Sequence, residues 1–246
     1  MPAKGYQQRS LWLAGNPGSG KTFLGDYLAS RGWHHIDGDQ GNQATDPAVK
    51  EKWGKFYQAM TEHQAGKKDI SEDLWRPYYD LLVQQYNTAL ESGKNVVLSF
   101  ALLDVFGEKA FLRKAIPSVT FVIIDVDKDK LMERTLKRNA LALEKMGTTE
   151  KEVWGQDYME DYRKRYGEEY TPERYRQMEI DGAKELVFVK EDPNDAAIVR
   201  INNDDLENFS SIKELNKLVG LKWEDVDPEK IAAVNTKRME NMNLSM

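Results

Sequence analysis

The chain has no cysteine and only three histidines among its 246 residues, and these two shortages remove several kinds of chemistry together. Without thiols there is no disulfide scaffold, no thiolate metal site and no catalytic cysteine. The same absence leans toward an intracellular, cytoplasmic setting. His34, His35 and His63 lack the spacing of a zinc site, and no Ser-His-Asp order with local context suggests a hydrolase. His34 and His35 alternate across an expected strand, so at most one of them faces any given site. Long apolar runs are missing as well. The longest, near Val96 to Leu103, is interrupted by Ser99 and falls well short of the roughly 20 residues that a membrane helix needs. Met1 to Ser10 carries Lys4 and Arg9 but no apolar stretch of signal-peptide length, so no leader is expected. Positive charge is not in excess: 35 Lys plus Arg face 41 Asp plus Glu, for a formal net charge of -6. That balance argues against a general polyanion binder, and neither nucleic acid nor a membrane is an expected partner.

What is present is a chain with 40% hydrophobic residues, enough for a core, in which short apolar runs alternate with helical stretches. Strands are expected at Ser10 to Ala14, Trp33 to Asp37, Asn95 to Ser99, Val119 to Val126 and Ala197 to Asn202. A helix is expected from Lys21 to Ser30, with Gly32 in the C-terminal cap position. Trp75, Tyr79, Leu82, Tyr86 and Leu90 recur at helical spacing up to Gly93. Further helices are expected from Lys128 to about Asn139, from Ser210 to Leu218, and from Asp227-Pro228 onward, a cap followed by proline at the first helical position. Between Leu141 and Gly182 the strand signals vanish and Trp154, Tyr158, Tyr162, Tyr166 and Tyr170 recur every four residues among dense charges. This stretch reads as a helical insertion whose aromatic stripe either packs on the body or on a partner helix, or forms a binding face.

The most specific motif is Gly15-Asn16-Pro17-Gly18-Ser19-Gly20-Lys21-Thr22, a full match to the P-loop pattern between an expected strand and helix. Its glycines let successive backbone N-H groups turn inward toward phosphate oxygens, and the helix N-terminus adds its positive end. Lys21 supplies a charge at the β and γ phosphates, and the Thr22 hydroxyl can ligate Mg2+. The next strand ends in Asp37-Gly38-Asp39, which delivers two carboxylates to the end of a parallel sheet where ligands bind. One can hold Mg2+ through water and the other can accept a proton from an attacking hydroxyl. Arg134 and Arg138 are four apart on one helix face, beside Lys137, and can close over a nucleotide. Arg76 and Arg113 are candidate contacts for an acidic acceptor.

These residues resemble the small-molecule P-loop kinases related to nucleoside monophosphate kinases, and most closely the gluconokinases, with shikimate kinases as cousins. The likeness runs through Gly15 to Thr22, Asp37-Gly38-Asp39, Ser99-Phe100-Ala101-Leu102 followed by Leu112-Arg113, the Val119 to Asp125 strand, and Arg134 with Arg138. It departs after Asp39, where Gln40-Gly41-Asn42-Gln43 replaces the family's sugar-acid group, and at Leu103-Asp104. The resemblance implies an α/β P-loop three-layer sandwich with a mainly parallel five-stranded sheet, helices on both faces and an enlarged helical lid. Residues 1–246 would form one domain, with the insertion at about 141–182 and an extra helical segment at about 221–246. It implies an ATP-dependent phosphotransferase acting on a hydroxyl of a small polar metabolite such as a sugar acid, with ATP and Mg2+ as cofactors. In that reading Lys21, Asp39 and Arg134 are catalytic, Thr22 and Asp37 place the metal, and Asp39, Arg76 and Arg113 meet the acceptor. A nucleoside or nucleotide kinase and a nucleotide-dependent switch remain rivals, and a homodimer stays open.

Overall fold

The computed structural model describes residues 9–16, 18–64, 67–100, 106–131, 133–134, 137, 198–205, 208–224 and 226–243. The insertion at 141–182, Pro17 and Arg138 lie outside the described residues. The five expected strands form β1 (Ser10–Ala14), β2 (His34–Asp37), β3 (Val96–Ser99), β4 (Thr120–Asp125) and β5 (Ile198–Asn202). They make one sheet in the order β2-β3-β1-β4-β5, and every pairing is parallel. All five residues of β1 are buried. A central strand of a parallel sheet is covered on both faces, so it reads as a continuous apolar run rather than an alternation.

The two faces are packed by different helices. On one face Trp12, Leu98, Phe121 and Ile123 meet α2 (Pro47–Gln64), α3 (Glu72–Glu91) and α4 (Glu108–Ala115). On the other, Leu11, Leu13, Val97 and Val122 meet α1 (Lys21–Ser30), α5 (Ser210–Val219) and α6 (Pro228–Asn243). Successive residues of β1 thus serve opposite cores, as the two-residue period of a strand requires. The C-terminal α6 is part of this architecture, because Ile231 is buried against the α1 side. Gly32 adopts φ 91° where α1 ends, and Trp33 N donates to Leu28 O at 3.1 Å, so the chain turns directly into β2. Sequence periodicity did not reveal α2 or α4. The first shows its core only through sparse anchors such as Phe56 and Ala59, and the second is eight residues long. Pro77 lies in the second turn of α3, which begins at Glu72. Among the described residues no helix is long and apolar enough to cross a membrane.

Candidate active site

The P-loop leaves the carboxyl end of central β1 and curls into α1. Its conformation requires glycine at two places for separate reasons. Gly15 has φ 147°, and a Cβ there would lie 2.7 Å from the Ile124 carbonyl oxygen on β4. Gly20 has φ 95°, and a Cβ there would lie 2.5 Å from Asn203 Nδ2. Gly18 also has positive φ, at 84°. Lys21 is buried, and its ammonium donates to the carbonyl oxygens of Gly15 at 2.9 Å and Asn16 at 3.0 Å. The lysine therefore spans the loop from inside the curl. Ser19 Oγ and Asn16 Oδ1 are buried polar atoms with no hydrogen-bond partner among the described residues. Leaving such groups unsatisfied costs about 1–3 kcal/mol each, which is a mark of a cradle shaped for a polar occupant. Thr22 is half-buried in the first turn of α1.

β2 delivers Asp37 to the same end of the sheet. Asp37 accepts the Asp39 backbone N-H at 3.1 Å and so starts the 3-10 turn Gly38–Gln43. Asp37 is half-buried and Asp39 is exposed. Gly38 between them rests on Phe100, where a Cβ would lie 2.7 Å from the ring. Below the turn, Tyr78 of α3 donates its hydroxyl to Gly38 O at 2.5 Å. Burial first, and then the neighbouring carboxylates of Asp39 and Asp37, push the Tyr78 phenol well above its ordinary range, so it remains a donor.

The third wall is the segment after β5. Asn203 donates to Ser19 O at 2.7 Å, and its own side-chain oxygen accepts the Ser211 hydroxyl at 2.7 Å, both buried. The next residue, Asp204, takes the Asp127 N-H at 2.6 Å, while its carbonyl accepts from Arg134 Nη2 at 2.9 Å. The Asp127 amide and the Asn202 side chain hold the Asp204 carboxyl below the usual carboxylate range. One short segment thus ties the P-loop to Arg134.

The remaining candidates are more dispersed. Arg76 pairs with Glu72 and, at 3.1 Å, with Asp80, and its guanidinium lies 3.8 Å from the Phe111 ring centroid. It sits in an ion-pair group between α3 and α4. Arg113 lies over Phe121, the second residue of β4, toward the amino-terminal half of that strand, whereas the P-loop leaves the carboxyl end of β1. The structure brings Gly15, Asn16, Gly18, Ser19, Gly20, Lys21 and Thr22 together at the end of β1 and places Asp37 and Asp39 at the same end of the sheet, beyond β3. It gives Arg76 and Arg113 partners elsewhere.

Sequence reasoning missed Asn203, Tyr78 and a buried line of Asp26, His35 and Ser99, in which His35 bridges the other two at 2.8 and 2.9 Å. Asn203 and Tyr78 act on residues 184 and 40 positions away, and although the end of the third strand at Ser99 was visible in the sequence, its bond to His35 spans 64 positions. Among the described residues no group of three or more His, Cys, Asp or Glu could hold a metal by itself. A hydroxyl and a carboxylate completed by phosphate oxygens is, however, the donor set that Mg2+ takes beside nucleotides, and Thr22 with Asp37 fits it.

Among solved structures the chain is similar to a gluconokinase from Sinorhizobium meliloti 1021, at 17% identity and a TM-score of 0.44, covering 96% of this chain and 97% of that one. It is also similar to an unliganded sugar kinase from Janibacter sp. HTCC2649, at 16% identity and a TM-score of 0.49, covering 87% and 95%. A shikimate kinase from Acinetobacter baumannii in complex with shikimate matches at 16% identity and a TM-score of 0.41, covering 89% and 97%. No curated protein matches the chain. A family model described as an AAA domain matches residues 12–163, well over half of the 246 residues and including the P-loop and both carboxylates of the second strand, so the chain belongs to that AAA domain family.

Proposed function

We propose that the chain is an ATP-dependent small-molecule kinase that moves the γ phosphate of Mg-ATP to a hydroxyl group of a small polar metabolite, with a sugar acid as the first acceptor class to test. The observation that supports this reading is a glycine-demanding loop at the carboxyl end of β1 together with Asp37 and Asp39 at the same end of the sheet, one strand removed across β3. Phosphoryl transfer asks little of a protein beyond such positioning and compensation of charge. Lys21 exchanges its loop carbonyls for the β and γ phosphates, and the loop amides and Ser19 take further phosphate oxygens. Thr22 and Asp37 would hold the metal, which when bound supplies positive charge at the β and γ oxygens. Asp39, exposed at the turn, accepts the proton of the acceptor hydroxyl as its oxygen bonds to the γ phosphorus and the bond to the β-γ bridging oxygen breaks, releasing ADP. Arg134, together with Arg138, closes over the transferring group, and residues 141–182 act as the lid of a single kinase domain. The proposed setting is cytoplasmic carbohydrate metabolism.

ADP release measured against sugars, sugar acids, nucleosides and nucleoside monophosphates tests the reaction and its acceptor together. Stimulation by a sugar acid supports the proposal, stimulation by a nucleoside or nucleotide redirects the acceptor class, and ATP binding with no stimulation by any acceptor rejects the kinase. Asp39→Asn should keep Mg-ATP binding and lose roughly 10²–10⁴-fold in transfer. Transfer near the parent rate in that variant would remove the base role.

A further inference from the structure

A loop that holds an anion must present N-H groups to it and keep carbonyl oxygens away, and a glycine-rich backbone does not enforce that by itself. A peptide next to a residue without a Cβ turns over at little steric cost. In the P-loop the carbonyls of Gly15 and Asn16 take the Lys21 ammonium, and the Gly20 carbonyl takes the Leu24 N-H at 3.0 Å. Those donors belong to α1, a few residues along the chain. The Ser19 carbonyl differs, because its donor is Asn203 Nδ2 at 2.7 Å, on the segment that follows β5.

Asn203 is itself firmly held. Its backbone N-H donates to Asp125 O at 2.8 Å, one residue past β5, and its Oδ1 accepts the Ser211 hydroxyl of α5 at 2.7 Å. The residue is 1% exposed. Chemistry fixes the orientation of its amide as well, since a carbonyl oxygen only accepts and the nitrogen must be the atom that faces Ser19.

The peptide bond carries this constraint across to the next residue. A trans peptide is planar with its C=O and N-H on opposite sides, and the described residues contain no cis bond, so turning Ser19 O toward Asn203 turns the Gly20 N-H away from it. That N-H meets no acceptor among the described residues, and beside it stands the buried Ser19 hydroxyl, also without a partner among them. Gly20 has φ 95°, and a Cβ there would strike Asn203 Nδ2, so only glycine allows the two to approach.

We propose that Asn203 is a positioning residue that locks the Ser19-Gly20 peptide with its N-H presented to a phosphate oxygen, which makes the end of β5 and the start of α5 part of the phosphate site. This rests on the P-loop being an ATP site and is independent of the acceptor.

The probes are ATP and inorganic tripolyphosphate, which carries the phosphates without the base. In NMR of the intact nitrogen-15-labelled protein, the Gly20 amide proton should move downfield on saturation with either probe, as a hydrogen bond to an anion forms. Asn203→Leu is neutral and close in shape, and it removes the donor. It should weaken both probes by the same factor, roughly 10–100-fold, as for a lost hydrogen bond to a charged group, and most of the Gly20 shift should disappear. A Gly20 amide that does not move in the parent overturns the proposal whether or not the variant folds. A variant that melts lower yet binds both probes like the parent also overturns it, because it shows a packing role only. So does a loss seen with ATP but not with tripolyphosphate, which would put Asn203 at the base. A parent that binds both probes yet transfers to no acceptor rejects the kinase while leaving this result decisive, and a parent that binds neither rejects both.

Discussion

The two faces of the sheet are built from different materials. The face under α2, α3 and α4 is aromatic: Trp12, Phe56, Trp75, Tyr78, Tyr79, Tyr86, Phe100 and Phe121 are buried there, and Tyr79 alone touches Trp12, Phe56, Trp75 and Phe100. The face under α1, α5 and α6 is mostly aliphatic, with Asp26, Ser99, Asn203, Ser211 and Asn216 buried at or beside it. Large rings bury much area and pack with definite geometry, so the first face holds the sheet together. Buried polar groups contribute little net stability but fix one arrangement of hydrogen bonds, so the second face shapes the P-loop. The molecule separates the material of stability from the material of chemistry across a single layer of strands.

That separation can be broken by substitutions of decreasing effect. Tyr79→Ala, at a fully buried position, should cost about 3–5 kcal/mol in urea unfolding while leaving ATP affinity per folded molecule unchanged. A parallel loss of affinity would show that the faces are not separable. Lys21→Ala should do the opposite, lowering turnover by about 10²–10³-fold or more with the melting temperature close to that of the parent. Persisting ATP consumption would remove the phosphate-site assignment.

Gly20→Ala and Gly32→Ala form a matched pair, with φ of 95° and 91°. Both incur the left-handed penalty of about 1–2 kcal/mol, but only Gly20 also meets Asn203, whereas nothing lies within 4 Å at Gly32. ATP binding should therefore fail only in the Gly20 variant, and equal binding in both would show that Asn203 does not brace the loop. Tyr78 reaches from the stabilising face to the Asp37-Gly38-Asp39 turn through a hydrogen bond, where Phe100 only packs against it. Tyr78→Phe should leave the Gly38 carbonyl unsatisfied, costing about 1–3 kcal/mol in unfolding and raising the KM for the acceptor. The smallest effect concerns pH. The Asp204 carboxyl is held below its ordinary value in the folded chain, so its contribution to stability is present above the unfolded pKa, near 3.8, and is lost as pH falls through the lower folded value. Asp204→Asn should flatten that acid limb of the melting-temperature profile slightly, and an unaltered limb would remove the tether.

Much of the scaffold is readable from residue patterns alone. The strand at Ser10–Ala14 and the helix at Lys21–Ser30 lie where periodicity and the glycine turn put them, and the other strands differ by a residue or so at their ends. Such elements are legible because a buried parallel strand and a P-loop are marked by neighbouring residues. Arg76 shows the opposite case. Its partners Glu72 and Asp80 stand four residues away on the same helix, but the Phe111 ring beneath its guanidinium comes from α4, which no local pattern announced. His35 shows the same limit: strand alternation says only that it faces one side, and the packing of α1 and the pairing with β3 supply its partners Asp26 and Ser99.

The sequence by itself determined the P-loop, since Gly15 through Thr22 are contiguous and their turn is set by local φ and ψ freedom. It also determined that the second strand ends at Asp37 with a second carboxylate, Asp39, in the turn that follows. Only the tertiary structure decided what surrounds them. The order β2-β3-β1-β4-β5 brings Ser99 between the P-loop strand and Asp37, and carries Asn203 to Ser19 from 184 residues away. Contacts at that separation leave no local signature, because they depend on which strands lie side by side and not on any residue's neighbours in the chain.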